Sequence, residues 1–188
     1  MNNKKAGVFL ALLLAGGMMM SETAFAQIES DFIAALTTDL KGAEIVRYTG
    51  SATRVWLPAT IEGFPVRGIG MAAFAVYNYD LYDVFYDNSI RPGPNPILIT
   101  SVVIPEKVTY IGVDAFYNQS LTSVTLPSTI IEIGDYCFAN CSALTTVTIP
   151  NIVKELKFGV NSFIGCSSLN LESQAALRKL GYTGIFKW

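Results

Sequence analysis

A motif of the form Gly-x-x-x-Phe recurs four times along this chain, and it constrains the fold more than any other feature of the sequence. With 15 Gly and 11 Phe in 188 residues, chance alone would supply about one such pair. Upstream of each motif, a short run of alternating apolar residues ends in proline, and the last three of these prolines are 22 and 23 residues apart. The chain is therefore an array of structural repeats. The four pairs are Gly70/Phe74, Gly112/Phe116, Gly134/Phe138 and Gly159/Phe163, and the prolines are Pro58, Pro105, Pro127 and Pro150.

Each repeat unit has the pattern of a short strand, a turn and a compact return. Residues 121–126 alternate in polarity and are rich in β-branched side chains, which predicts a half-buried strand. Pro127 ends that strand because it has no N–H to donate. Gly134 is expected to permit a tight turn that a Cβ would hinder, and Phe138 then fills the interior. One unit cannot bury its own apolar face, so we expect stacked units with strands about 4.8 Å apart and the four phenylalanines in one column.

The repeated pattern, L-x-x-V-x-I-P followed by I-G-x-x-A-F-x-x-C, resembles the BspA-like leucine-rich repeat found in secreted and surface proteins of bacteria. Residues 121–142 and 144–167 match this pattern closely, and residues 99–119 and 52–74 match it with small changes. The resemblance implies an α/β repeat solenoid: a short leucine-rich-repeat stack of four repeats with an N-terminal β-hairpin cap and a C-terminal helical cap.

Three departures from the pattern are visible in the sequence. Gln119 occupies a position where the family often has cysteine. The first repeat carries an insert at residues 62–66, which resembles a frequent first-repeat form of the family. Gly159 lies nine residues after Pro150 instead of seven, so we expect a small bulge in that repeat.

Both ends of an open solenoid must be covered, and the flanking sequences offer a candidate for each end. Residues 27–51 are assigned as an N-terminal β cap, in which two short strands flank a turn at residues 39–42. The repeats occupy residues 52–171. Residues 172–188 are assigned as a C-terminal helical cap, whose helix carries acid at its start and basic residues in its last turn and ends at Gly181.

The first 26 residues have the composition of a secretory signal peptide. A short basic start precedes an apolar run at residues 8–15, and Ala24 and Ala26 supply the small residues that signal peptidase requires. The apolar run is short for a membrane span, so we expect cleavage after Ala26, with an uncleaved N-terminal anchor as the alternative. No later stretch of the sequence is long and apolar enough to cross a bilayer. The expected location is therefore secreted, cell-surface or periplasmic, without a transmembrane segment in the mature chain.

The alternation of the strands predicts which side chains face outward. Arg54 and Trp56 lie at the N-terminal end of this neutral, hydroxyl-rich face, and an exposed Trp beside an Arg is typical of interaction hot spots. We therefore assign both as candidate binding residues; the alternative is that the N-terminal hairpin covers Trp56. The two predicted rows are Arg54, Ser101, Ser123 and Thr146, and Trp56, Val103, Thr125 and Thr148.

A loop insertion at residues 75–98 is the second candidate binding region. It adds about 19 residues to the usual repeat, and loops of this length in compact domains are often functional. Tyr79, Tyr82 and Tyr86 are candidate binding residues because tyrosine gives contact area at a low entropic cost. The alternative is that these rings pack back over the repeats.

The composition argues against catalysis, cofactors, metals and nucleic acid. The chain has no His, which removes histidine-assisted nucleophiles and most zinc sites. Thirteen Lys and Arg against 15 Asp and Glu leave no basic field for a phosphate backbone. Residues 68–73 spell G-x-G-x-x-A, but Gly70 is the repeat glycine and no crossover helix is expected after it. Cys141 and Cys166 occupy equal positions on adjacent repeats and are interpreted either as a disulfide or as buried thiols.

These features predict an exported, non-enzymatic binding module. The family resemblance implies cell-surface adhesion through a protein partner, for example a host extracellular-matrix or plasma protein, or another bacterium. The alternative is a structural or self-assembling component of the cell envelope, in which copies associate end to end through exposed repeat edges.

Overall fold

The computed structural model describes residues 29–76 and 97–187. This part of the chain forms a single-turn 3-10 helix at Glu29–Asp31, eleven short strands and one α-helix. The strands are β1 (Phe32–Leu36), β2 (Ala43–Tyr48), β3 (Arg54–Trp56), β4 (Thr60–Ile61), β5 (Phe64–Ile69), β6 (Ser101–Val103), β7 (Tyr110–Ile111), β8 (Ser123–Thr125), β9 (Glu132–Ile133), β10 (Thr146–Thr148) and β11 (Lys157–Phe158), and the helix is α1 (Leu171–Lys179).

The strands form two sheets that share one core. A seven-stranded sheet has the order β1-β2-β5-β7-β9-β11, with β4 beside β5, and a four-stranded sheet has the order β10-β8-β6-β3. Every pairing between successive repeats is parallel, and each turn of the solenoid, or rung, contributes one strand to each sheet. The predicted repeat solenoid is confirmed. The return segments of the rungs are turns rather than helices, so the described α-helix is confined to the C-terminal cap.

The aromatic side chains of successive rungs stack into one ladder through the core. The four repeat phenylalanines lie in a single column, as predicted, and all four are fully buried. Two tyrosines and two terminal phenylalanines extend the column at both ends, and neighbouring ring centroids are 5.0 to 5.4 Å apart. Such ring pairs add about 0.5–1.5 kcal/mol each beyond the burial of their area. In order, the ladder is Phe32, Tyr48, Phe74, Phe116, Phe138, Phe163, Tyr182 and Phe186.

The repeat glycines are required for a different reason from the one expected. Their backbone does not adopt the left-handed conformation; the left-handed residues lie two positions later, as at Asp114 and Tyr136. Instead, neighbouring rungs approach one another very closely at these glycines. A Cβ on Gly134 would lie 2.6 Å from the carbonyl carbon of Gly112 and 2.6 Å from the amide nitrogen of Val113. The glycine column therefore exists because the backbones of adjacent rungs are in contact there.

The irregular spacings in the first and last repeats do not disturb the stacking of the rungs. The insert in the first repeat forms a tight hairpin between β4 and β5, with Glu62 and Gly63 both at positive φ in the turn. In the last repeat, the two extra residues lie between the buried Val153 and β11. β11 is nevertheless in register with β9, so the irregularity stays within one surface segment.

The N-terminal hairpin continues the seven-stranded sheet, because β2 pairs with β5 of the first rung. Its turn is anchored by an ion pair in which Arg67 Nη1 lies 2.6 Å from Asp39 Oδ2. The Thr37 hydroxyl, the Lys41 amide and the Arg67 guanidinium all donate to Asp39, and together they hold the pKa of that carboxyl well below its usual range. The predicted hairpin at this end is confirmed.

The C-terminal helix covers the last rung. Asn170 is its N-cap, with Oδ1 accepting from the Ser173 amide at 2.8 Å. Ser173 Oγ in turn accepts from the Val147 amide at 3.0 Å, so the helix satisfies an amide of β10 at the edge of the four-stranded sheet. Leu177 is fully buried, and Gly181 follows the helix at a φ of 100°. Across residues 29–76 and 97–187, no helix has both the length and the apolar character needed to traverse a membrane.

Candidate binding surface

The outward face of the four-stranded sheet carries the two predicted rows in the predicted register. Arg54 pairs with Ser101 and Trp56 pairs with Val103, and both rows continue through β8 and β10. The residue between them on each strand is a buried valine, such as Val55, because successive side chains of a strand point to opposite faces. Core packing therefore fixes where these outward side chains stand.

The apolar exposure on this face is concentrated at its N-terminal end. Trp56 is 45% exposed and the neighbouring Val103 is 48% exposed, whereas the same row continues with threonines. Arg54 is also exposed, two residues before Trp56 and on the same face. The strands of the N-terminal hairpin belong to the other sheet, and Trp56 is not buried beneath them. Val103 is an additional member of the surface, marked in the sequence as the one apolar residue between Trp56 and the threonines of its row.

Tyr79, Tyr82 and Tyr86 lie outside the described residues, as does most of the insertion that contains them. The described ends of the insertion are held by the second rung. Gln119 Oε1 accepts from the Ile99 amide at 2.7 Å, and Gln119 Nε2 donates to the carbonyl oxygen of Phe74. The side chain of Gln119 is buried, so these bonds are shielded from water.

Gln119 is a residue whose role sequence reasoning missed, although the signal was visible. Its replacement of a family cysteine falls in the repeat that follows the insertion. A glutamine is longer than a cysteine and has both a donor and an acceptor. It can therefore bridge backbone groups on both sides of the inserted segment, which a thiol cannot do.

The three cysteines are free thiols buried in the core, and the disulfide alternative is wrong. Cys141 Sγ donates to the Phe116 carbonyl at 3.2 Å, and Cys166 Sγ donates to the Phe138 carbonyl at 3.1 Å. Each thus bonds the repeat phenylalanine of the preceding rung, as Gln119 does. Burial raises the pKa of Cys141 far above its ordinary value and that of Cys166 to about 12. These thiols are structural groups and are inert at neutral pH.

The outward face of the seven-stranded sheet has a different chemistry. Tyr110 lies across Gly68 of the preceding rung, and its hydroxyl donates to Glu44 Oε2. A Cβ on Gly68 would lie 2.1 Å from Cζ of Tyr110, so this glycine provides the room for the ring. Burial and the bond to Glu44 raise the pKa of Tyr110 well above its usual range. The glycines of the G-x-G-x-x-A segment therefore serve packing between rungs.

A shallow cavity of about 310 Å³ lies on this second face, beside Tyr110 and Glu132. It is remote in the fold from Arg54 and Trp56, since it opens on the other sheet. Among residues 29–76 and 97–187, no three His, Cys, Asp or Glu side chains converge as metal ligands would. What the described surface offers is a row of side chains suited to contact with a macromolecule.

Fold and surface together define a leucine-rich-repeat solenoid, a class whose members are generally protein-interaction modules. Residues 95–182 match the family model described as "BspA type Leucine rich repeat region" in six copies. Residues 95–182 thus carry BspA-type leucine-rich repeats, and the predicted resemblance is confirmed.

A solved leucine-rich-repeat protein shares this architecture. A leucine-rich repeat protein from Bacteroides capillosus is 26% identical, with a TM-score of 0.57 over 77% of this chain and 94% of its own. A leucine rich cell surface protein from Faecalibacterium prausnitzii is 23% identical, with a TM-score of 0.44 over 79% of this chain and 54% of its own. The leucine-rich repeat protein of T. pallidum is 22% identical, with a TM-score of 0.32 over 86% of this chain and 98% of its own. No curated protein matches the sequence.

Proposed function

We propose that this protein is exported and binds another protein through the outward face of its four-stranded sheet, without catalysing a reaction. The observation that carries the proposal is the position of Trp56. A large apolar ring that is 45% exposed stands at the end of a rigid sheet, beside the exposed Val103 and near Arg54. Trp and Arg are the residues most enriched among those that dominate binding energy at protein interfaces.

The surrounding surface suits such a partner. Neutral hydroxyl side chains extend from Trp56 across the sheet, so a bound protein meets few charges that would need desolvation. The strands are held by the stacked core, which keeps the ordering cost of binding low. Tyr79, Tyr82 and Tyr86 are included in the proposed surface because of their residue type and their position in the insertion.

The proposed location is outside the cytoplasm, at the cell surface, in the periplasm or released. Support comes from the first 26 residues, which have the pattern of a cleaved signal peptide. Adhesion to a host matrix or plasma protein, or to another bacterium, is the corresponding biological role. Mass spectrometry of the protein recovered from the producing cells tests the export step. Mature chains beginning at Gln27 support it, and an intact N-terminus in the cytoplasm contradicts it.

The binding face is tested with the chain from Gln27 onward, which contains every described residue. Candidate matrix, plasma and bacterial surface proteins are titrated against it by surface plasmon resonance. For a partner so identified, Trp56→Ala is expected to weaken binding by about thirtyfold or more, which is the effect of a hot-spot residue. Arg54→Ala and a deletion of residues 78–97 should also weaken it.

Thr148→Ala is the matched control, because Thr148 ends the same outward row at the opposite side of the sheet. It should leave the affinity within about threefold of the parent value, in the range of peripheral contacts. Equal binding by the Trp56→Ala variant and the parent chain would show that this face is not the binding site. Circular dichroism of each variant confirms that the fold is retained.

A further inference from the structure

The outer strand of the N-terminal hairpin has the properties of a pairing edge. β1 is the first strand of the seven-stranded sheet, and among the described residues no strand lies on its outer side. All five of its residues are apolar. Ile33 is 49% exposed and Leu36 is 50% exposed, and Leu40 in the adjoining turn is also exposed. Exposed apolar edge strands present unpaired backbone groups and are templates for pairing with another strand.

Two other sheet ends, β11 and β10, differ from β1 in ways that block pairing. β11, at the far end of the seven-stranded sheet, has only two residues and includes Lys157. β10, at the end of the four-stranded sheet, has its Val147 amide bonded to Ser173 of the terminal helix. Short edges, lysines and covering helices are the usual protections of sheet edges. β1 has none of these three protections, and the one irregularity in its pairing with β2 is a register shift between Ile33 and Ala34.

We propose that β1 pairs antiparallel with β1 of a second copy of this chain, so that the seven-stranded sheets of two molecules become continuous across a two-fold axis. Antiparallel pairing of identical strands is self-complementary, as isologous dimers require. In this arrangement the exposed side chain of Ile33 packs against β1 of the partner copy, which removes apolar surface from water.

The charges around β1 favour this occupant and this orientation. Glu29 and Asp31 precede the strand, and Lys41 lies in the turn that follows it. Asp39, in the same turn, is already paired with Arg67. Antiparallel pairing therefore brings the acidic end of each copy to the Lys41 end of the other, twice in the dimer. Parallel pairing would place acid against acid and lysine against lysine.

The segment before β1 is too short to cover this edge after the processing proposed above, on which this step rests. Cleavage after Ala26 leaves Gln27 and Ile28 before Glu29. Two extended residues reach about 7 Å, whereas a five-residue strand is about 17 Å long. The residues that precede β1 in the mature protein therefore leave its outer edge available to a second molecule.

The test is sedimentation equilibrium of the chain from Gln27 over a range of concentrations. A mass of two chains at micromolar concentration is expected for the parent protein. Ile33→Lys should raise the dissociation constant at least about tenfold, because a lysine would have to be buried in the interface. Ile152→Lys is the matched control, since Ile152 is an exposed apolar residue on the last rung, and it should leave the dimer intact.

Charge reversal tests the orientation. Lys41→Glu alone should weaken the dimer, and adding Asp31→Lys should restore it, because the reversed charges again meet across the two-fold axis. A parent protein that stays a single chain up to about 100 µM would overturn the proposal, as would equal effects of Ile33→Lys and Ile152→Lys. If Ile33→Lys abolishes the dimer but Trp56-dependent binding persists, the two proposals are shown to be separate.

Discussion

Replacing Gly134 with alanine tests whether contact between rung backbones, rather than backbone conformation, explains the repeat glycines. The new Cβ would lie 2.6 Å from the carbonyl carbon of Gly112. Ordinary contact begins near 3.4 Å, so the rungs must separate by about 0.8 Å at this point. The Gly134 amide donates to the Ile111 carbonyl at 2.8 Å, and this bond would lengthen beyond hydrogen-bonding distance.

The expected loss of stability follows from these two effects. A buried hydrogen bond that is broken costs about 1–3 kcal/mol, and forcing extra atoms into a packed region costs about 1–3 kcal/mol. We expect Gly134→Ala to lower the free energy of unfolding by about 3–4 kcal/mol, a large fraction of the stability of a domain of this size. Urea denaturation followed by far-ultraviolet circular dichroism measures the change.

Gly63→Ala is the matched control. Gly63 has a φ of 82° and nothing within 4 Å of the position of a Cβ, so its replacement introduces backbone strain without a clash. It should cost about 1 kcal/mol. If Gly134→Ala costs no more than Gly63→Ala, the close-approach explanation is refuted, and the glycine is required for another reason.

Three further predictions concern the core. Phe116→Ala removes a ring stacked on both sides and should lower the free energy of unfolding, measured by urea denaturation, by about 4–5 kcal/mol. This loss should exceed that of Phe32→Ala, at the end of the ladder, by at least about 1 kcal/mol, and equal losses would contradict a continuous stack. Gln119→Ala should cost about 2–4 kcal/mol because it leaves the Ile99 amide buried without its partner. Gln119→Cys should cost less than Gln119→Ala, because the shorter thiol keeps a donor but is only a weak acceptor. Unchanged hydrogen exchange at Ile99 in these variants would argue against this bond. Because burial raises the pKa of Cys166 from 9.0 to about 12, the folded state holds its proton where the unfolded state has lost it. The free energy of unfolding should therefore not depend on this thiol below pH 9, and above pH 9 it should fall by up to about 1.4 kcal/mol per pH unit. Cys166→Ala should reduce that slope. A free energy of unfolding that stays constant up to pH 11 would contradict the raised pKa.

The repeat architecture could be predicted because it rests on periodicity. A rung spacing of about 22 residues places like positions beside one another, so the pairing of Val103 with Thr125 follows from counting along the sequence. The pairing of Trp56 with Val103 follows from the shared motif that ends in Pro58 and Pro105, because the insertion separates these two strands. The inward column of phenylalanines follows in the same way, since only a shared interior buries them.

The sequence did not reveal contacts that join different rungs outside the repeat pattern. Tyr48 and Tyr182 belong to the cap segments, yet both continue the aromatic ladder because the caps stack as if they were further rungs. The hydrogen bond between Tyr110 and Glu44 spans 66 residues of sequence, and it forms only because Gly68 has no side chain to displace the Tyr110 ring. No local pattern encodes such a contact, because it requires three separate strands to be adjacent.

By itself, the sequence determined the class of fold, the rung length and the face to which each strand residue points, because all three are consequences of a repeated apolar pattern. The tertiary structure alone decided that the repeat glycines are points of backbone contact, that the cysteines are unbonded donors to the preceding rung, and that Trp56 is exposed. Each of these depends on the distance between neighbouring rungs or on what the end segments cover, and such distances are set only when all the rungs are stacked.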